Sequence, residues 1–99
     1  MTIRFEWDDE KASQNLRKHG LSFEEVQCLF TSGVAYLEIY DLEHSLDEDR
    51  FICIGAIDRG IVLVVIVDSA DDTFRIISAR RATRGEARLY AVFLQDRFP

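Results

Sequence analysis

This chain has few of the residues that mark specialised architectures. Its 99 residues include one proline, five glycines and two cysteines. No linker, low-complexity segment or internal repeat divides it. Cys28 and Cys53 lie far apart, each among apolar neighbours. They read as buried thiols, not as a disulfide or a metal pair. No CxxC or HxxxH spacing occurs, so the usual structural zinc signatures are missing. The longest apolar run, IVLVVIV at 61–67, falls far short of the ~20 residues of a membrane helix. The opening segment has no basic stretch followed by an apolar one. The expectation is a cytoplasmic protein without membrane association.

Apolar residues make up 47% and charged residues 30% of the chain. That composition fits one globular domain over 1–99. The net charge of −6 is unevenly placed. Residues 1–72 carry 6 cations and 16 acids, whereas residues 73–99 carry 6 cations and 2 acids. An acidic total argues against loose binding along nucleic acid but leaves room for a small phosphate site. The cations concentrate in FRIISARRATRGEARLY, residues 74–90, with five arginines and one acid.

Periodicity predicts the elements. TIRFEW at 2–7 alternates as a strand. Asp8 caps a helix over about 9–18, closed by Gly20, with Leu16 and Leu21 placed to seal its end. SFEE at 22–25 is a capping box that opens a second helix, with Val26, Leu29 and Phe30 on its buried face. Strands follow at 34–40, 50–57, 61–67 and 73–81. The second and third are joined by a tight turn at Asp58-Arg59-Gly60. The 61–67 strand is apolar on both faces and belongs mid-sheet. TRGE at 83–86 is another capping box, opening a helix with Ala87, Ala91, Leu94 and Phe98 on one face. The order is β-α-α-β-β-β-β-α, an α+β antiparallel meander with helices packed against it.

Within the arginine-rich segment, strand alternation puts Arg75, Ile77, Ala79 and Arg81 on one face and Ile76, Ser78 and Arg80 on the other. Arg80 and Arg81 stand just before a capped helix, where guanidinium groups beside free N–H groups suit a phosphate. The plain alternative is that these arginines pair with acids on a solvated face.

Three blocks of sequence resemble the BrnT toxin family. They are FEWDDEKASQNLRKHGLSFEEV at 5–26, DLEHSLDEDRFICIG at 41–55 and RIISARRATRGEARLY at 75–90. The resemblance implies a type II toxin with a fold similar to RelE-type ribonucleases, cutting RNA without metal or cofactor. It also implies a BrnA-like ribbon-helix-helix antitoxin as partner, in a hetero-oligomer of two toxins with two antitoxins. Promoter DNA would be bound only through the antitoxin. One position departs from the family pattern: Ser69 stands where the family carries an arginine.

Metal-free cleavage to a 2′,3′-cyclic phosphate needs a base for the 2′-OH, cations for the phosphorane and an acid for the leaving oxygen. With the resemblance, Lys11 and Arg50 read as phosphate contacts and Glu48 as the base. His19 reads as an acid or base, and Arg80 and Arg81 as the phosphate clamp. Lys11, Asn15 and His19 form a polar stripe on the first helix. His44 is a weaker candidate, and Tyr90 reads as a core or rim residue with a polar tip. A rival function is a catalytically weak module that complexes the antitoxin and tunes repression of their operon.

Overall fold

In a computed structural model, residues 3–69 and 72–97 are described. One five-stranded sheet has the order β1-β5-β4-β3-β2. Strands β2 (Leu37–Tyr40), β3 (Arg50–Ile57), β4 (Gly60–Ser69) and β5 (Thr73–Arg81) form the predicted antiparallel meander. Strand β1 (Arg4–Glu6) joins the far edge, parallel to β5. The sheet is therefore mixed. The N-terminal strand lies beside the last one, with the helices and the other three strands between them in the chain, and α1 packs over β5.

Asp8 accepts from the Lys11 N–H and starts α1 (Asp9–His19), and Gly20, at φ 70°, ends it. Ser22 and Glu25 make the full capping box, so α2 (Phe23–Val26) begins as predicted. The second helix then turns at Gln27 and resumes as α3 (Cys28–Thr31). Cys28 lies on the exposed side of that turn, against expectation, while Cys53 is buried.

Two cores sandwich the sheet. Leu21, Phe23, Val26 and Leu29 pack on Cys53, Val62, Val64, Ile66, Ile76 and Ala79 on one face. On the other face Tyr90 packs on Ile54 and Leu63, which brings α4 (Arg84–Arg97) over the middle of the sheet. Tyr90 faces inward and donates from its hydroxyl to the Ala35 carbonyl at 2.6 Å. The helix presents Tyr90, Phe93 and Leu94 to the sheet, and the expected Ala91 is exposed. A large aromatic with a hydrogen-bond partner outweighs a methyl for the inward position. Phe98 lies outside the described residues. Strand β4, buried on both faces, is central as predicted.

Two polar devices fix the layers. Asn15, 6% exposed, donates to the Leu21 carbonyl at 3.1 Å and accepts from the Ala79 N–H at 3.0 Å. It satisfies β5 where β1 no longer flanks it, and so is not part of a solvated stripe. Arg59, at the hairpin tip, donates to the Gly20 carbonyl at 2.8 Å and to Glu25 at 2.9 Å. The tip is thereby tied to the end of α1.

Candidate active site

The register of β5 decides where its arginines point. Val65 pairs with Ser78, but Ile66 pairs with Ile76. Ile77 is thus an extra residue, a bulge, and the simple alternation predicted for 75–81 breaks there. Ile76 and Ala79 both enter the core under α1 and α2. Arg75, Ser78 and Arg80, paired with Val67, Val65 and Leu63, share the opposite face.

Arg75 lies in a row with Val67 and Arg50 across three adjacent strands. Val67 is 1% exposed. The Glu48 carboxylate, from the loop before β3, accepts from Arg75 Nη2 at 2.7 Å, bridging across β4. A cavity of about 290 Å³ beside it is lined by Glu43, His44, Leu46, Asp47, Glu48 and Arg50. Inside, Arg50 Nε is shielded from solvent and has no hydrogen-bond partner. A buried guanidinium N–H left unpaired is costly, and a side-chain rotation that opens it to the cavity would let it meet an anionic oxygen. His44 Nδ1 lies 2.9 Å from Asp41. That contact lets the carboxylate fix the ring and leaves Nε2 for another partner.

Around the edge of β5, Arg75 also lines a groove with Asp8, Lys11, Ile76 and Ile77. Lys11 continues into the next hollow, about 250 Å³, with Gln14, Asn15, Lys18, His19, Ile77 and Ser78. A band thus runs from His19 past Lys11 and Arg75 to Glu48, Arg50 and His44. Strand β1 ends at Glu6, opposite Arg75, and this leaves the edge open for the band to pass.

The last two arginines are placed elsewhere. Arg80 holds Glu86 through both carboxylate oxygens, at 2.8 and 2.9 Å. Glu86 also accepts from the Thr83 N–H at 2.8 Å in the capping box of α4. Arg80's hydrogen bond is the first cause that pulls the Glu86 carboxyl down to about 2; burial opposes it, and the Thr83 N–H assists. Arg81 donates to the Arg59 carbonyl at 3.0 Å at the opposite end of β5 from Arg75. The pairing partner of Arg80 is Leu63, four residues along β4 from Val67, roughly 13 Å away at strand rise. The expected clamp of Arg80 and Arg81 therefore does not converge with Glu48. Arg75 takes that place. Its signal in the sequence was the arginine cluster itself, without the bulge that selects its face. The side chain of Ser69 lies outside the described residues.

Among the described residues, no three His, Cys, Asp or Glu side chains gather as a metal site would need. No helix is long and apolar enough to cross a membrane.

A mixed five-stranded sheet with a parallel edge strand, helices on both faces and a charged band at the open edge defines a small α+β protein. The crystal structure of the Brucella abortus ribonuclease toxin, BrnT, superposes with a TM-score of 0.66 at 24% identity, covering 84% of this chain and all of that one. Residues 7–86 match the model of the ribonuclease toxin, BrnT, of type II toxin-antitoxin systems. The chain belongs to this family. No curated protein matches it.

Proposed function

We propose that this chain acts as a single-domain, metal-independent endoribonuclease toxin whose chemistry lies at Glu48, Arg75 and Arg50. Glu48 takes the proton from a ribose 2′-OH, whose oxygen attacks the adjacent phosphorus. Arg75 and Arg50 hold the charge of the phosphorane. The departing 5′ oxygen takes a proton from a histidine, leaving a 2′,3′-cyclic phosphate and a 5′-OH. His44 is favoured as that acid over His19, because it shares the cavity of Glu48. Lys11 and His19 follow the RNA strand beyond Arg75. A ribbon-helix-helix antitoxin of the BrnA kind neutralises the toxin in the cytoplasm, two chains of each to a complex, and carries promoter binding.

The observation that carries this reading is the 2.7 Å Glu48–Arg75 contact beside the unpartnered Arg50 Nε. It joins a base to two cations on one row of the sheet. Single-turnover cleavage of a defined RNA in excess chelator tests it, with the product end identified chemically. Cleavage abolished by the chelator, or a 3′-phosphate formed with no cyclic precursor, would overturn it. The same contact supports one rival. A carboxylate already held by a guanidinium must give up that contact to take a proton, which suits a module that mainly binds its antitoxin. In that case the wild-type chain would bind the antitoxin and cut no RNA.

A further inference from the structure

Two leucines stand apart from every other apolar side chain among the described residues. Leu42 is 78% and Leu46 is 91% exposed, while the next most exposed large apolar residues reach 51%. Both sit in the 41–49 loop, where five of nine residues are acidic: Asp41, Glu43, Asp47, Glu48 and Asp49. The loop is pinned at its base. Ser45 Oγ accepts from the Arg50 N–H at 3.0 Å and donates to the Asp41 carbonyl at 2.5 Å. Asp49 accepts from the Tyr40 hydroxyl at 3.0 Å and, through its backbone carbonyl, from the Asp68 N–H at 3.0 Å. Fixed exposed leucines on an ordered loop mark a docking surface.

We infer that this loop is where the antitoxin seats a basic amphipathic segment. Aliphatic side chains of that segment would cover Leu42 and Leu46, and its lysines or arginines would face the exposed carboxylates of Glu43 and Asp47. The charge selects the occupant. On this outer rim an RNA backbone meets the like charge of Glu43 and Asp47, and finds its cations only at Arg50 and Arg75. A second copy docked by two-fold symmetry sets the acidic loop against itself. Because Leu46 and Glu48 line one cavity, a segment seated on the loop closes the approach to Glu48 and Arg50. Inhibition is then steric. The inference rests on the toxin–antitoxin reading for the identity of the partner.

The test titrates a BrnA-like ribbon-helix-helix antitoxin into wild type, Leu42→Ser, Leu46→Ser and the double variant, by calorimetry at two salt concentrations. Leu89→Ser, on the exposed side of α4, is the control, and melting curves check folding. The expected result is at least ten-fold weaker binding for each single leucine variant and loss of binding for the double. Wild-type affinity should fall as salt rises, and Leu89→Ser should bind as wild type. Leu42→Ser should cut RNA at the wild-type rate but resist the antitoxin. If both leucine variants bind within two-fold of wild type, or if Leu89→Ser is the variant that fails, the surface is wrong. The surface is equally wrong if the leucine variants lose self-association or RNA binding with antitoxin affinity unchanged. If the wild type cuts no RNA but the leucines still govern antitoxin binding, the nuclease reading fails and the docking surface stands.

Discussion

Glu48 and Arg75 meet at 2.7 Å although 27 residues separate them, and they do so across the buried Val67. Neither residue belongs to the strand between them. The meander brings a loop carboxylate and a strand guanidinium together. If this is the reacting pair, Arg75→Ala and Arg50→Ala should each lower single-turnover RNA cleavage by about 10²–10³-fold at every pH. Glu48→Gln should lower cleavage as well, since it removes the base that takes the 2′-OH proton. Wild-type rates in all three folded variants would sink the site.

Arg80 should behave differently. Its partner Glu86 has a folded pKa near 2, below the usual carboxylate range, with Arg80 as the first cause. A depressed carboxylate contributes stability that is complete above its unfolded pKa, about 4.3, and is lost as pH falls toward 2. Glu86→Gln should lower the melting temperature at pH 7 and reduce the acid loss between pH 4.5 and 2. Arg80→Ala should do the same, with a smaller effect on cleavage than Arg75→Ala. Thermal melts across pH would show it.

Asn15→Ala should destabilise the fold by about 1–3 kcal/mol, because it leaves the Ala79 N–H and the Leu21 carbonyl without partners in a buried setting. Denaturant unfolding measures this. A change within error would mean that the edge of β5 is satisfied by other means.

Burial, followed by Glu38, pushes the Cys53 thiol up to about 12. Only the thiolate reacts. At pH 8 the folded protein should therefore take up one equivalent of alkylating reagent, at the exposed Cys28, and two equivalents when unfolded. Mass spectrometry of the labelled peptides decides.

A Cβ on Gly55 would lie 2.8 Å from Leu29 Cγ and 3.0 Å from Tyr36 Cβ. Leu29 is 1% exposed and has little room to move. Gly55→Ala should cost about 1–3 kcal/mol by overpacking, read as a drop of several degrees in melting temperature.

Local signals foretold the elements well because each rests on a few neighbouring residues. Asp8, Gly20, Ser22 with Glu25, and Thr83 with Glu86 all cap as their side chains dictate. The apolar run that holds the buried Val62, Leu63, Val64, Ile66 and Val67 announced the central strand by itself. The parallel seat of β1 was not legible, since it depends on which edge α1 can reach. Nor was the bulge at Ile77, which arises only when β5 must satisfy β4. That single extra residue turned Arg75, Ser78 and Arg80 to one face, whereas regular alternation sets Arg75 with Arg81 and apart from Arg80. Asn15 reads as a surface residue from its helix spacing, and only the open edge of β5 explains its burial.

The parallel β1–β5 pairing also orders events during synthesis. Strand β1 leaves the ribosome about seventy residues before its partner, since Arg4 pairs with Thr73 and Glu6 with Arg75. Until β5 has emerged, α1 has no strand to pack on, Asn15 has no Ala79 N–H to accept from, and Glu48 has no Arg75 guanidinium to meet. Closing so long a loop late is slow relative to forming the local hairpins. A nascent chain that stops before Thr73 therefore carries Lys11, Glu48 and Arg50 without the strand that assembles them. The band from Lys11 to Glu48 thus stays unassembled until most of the chain has been made.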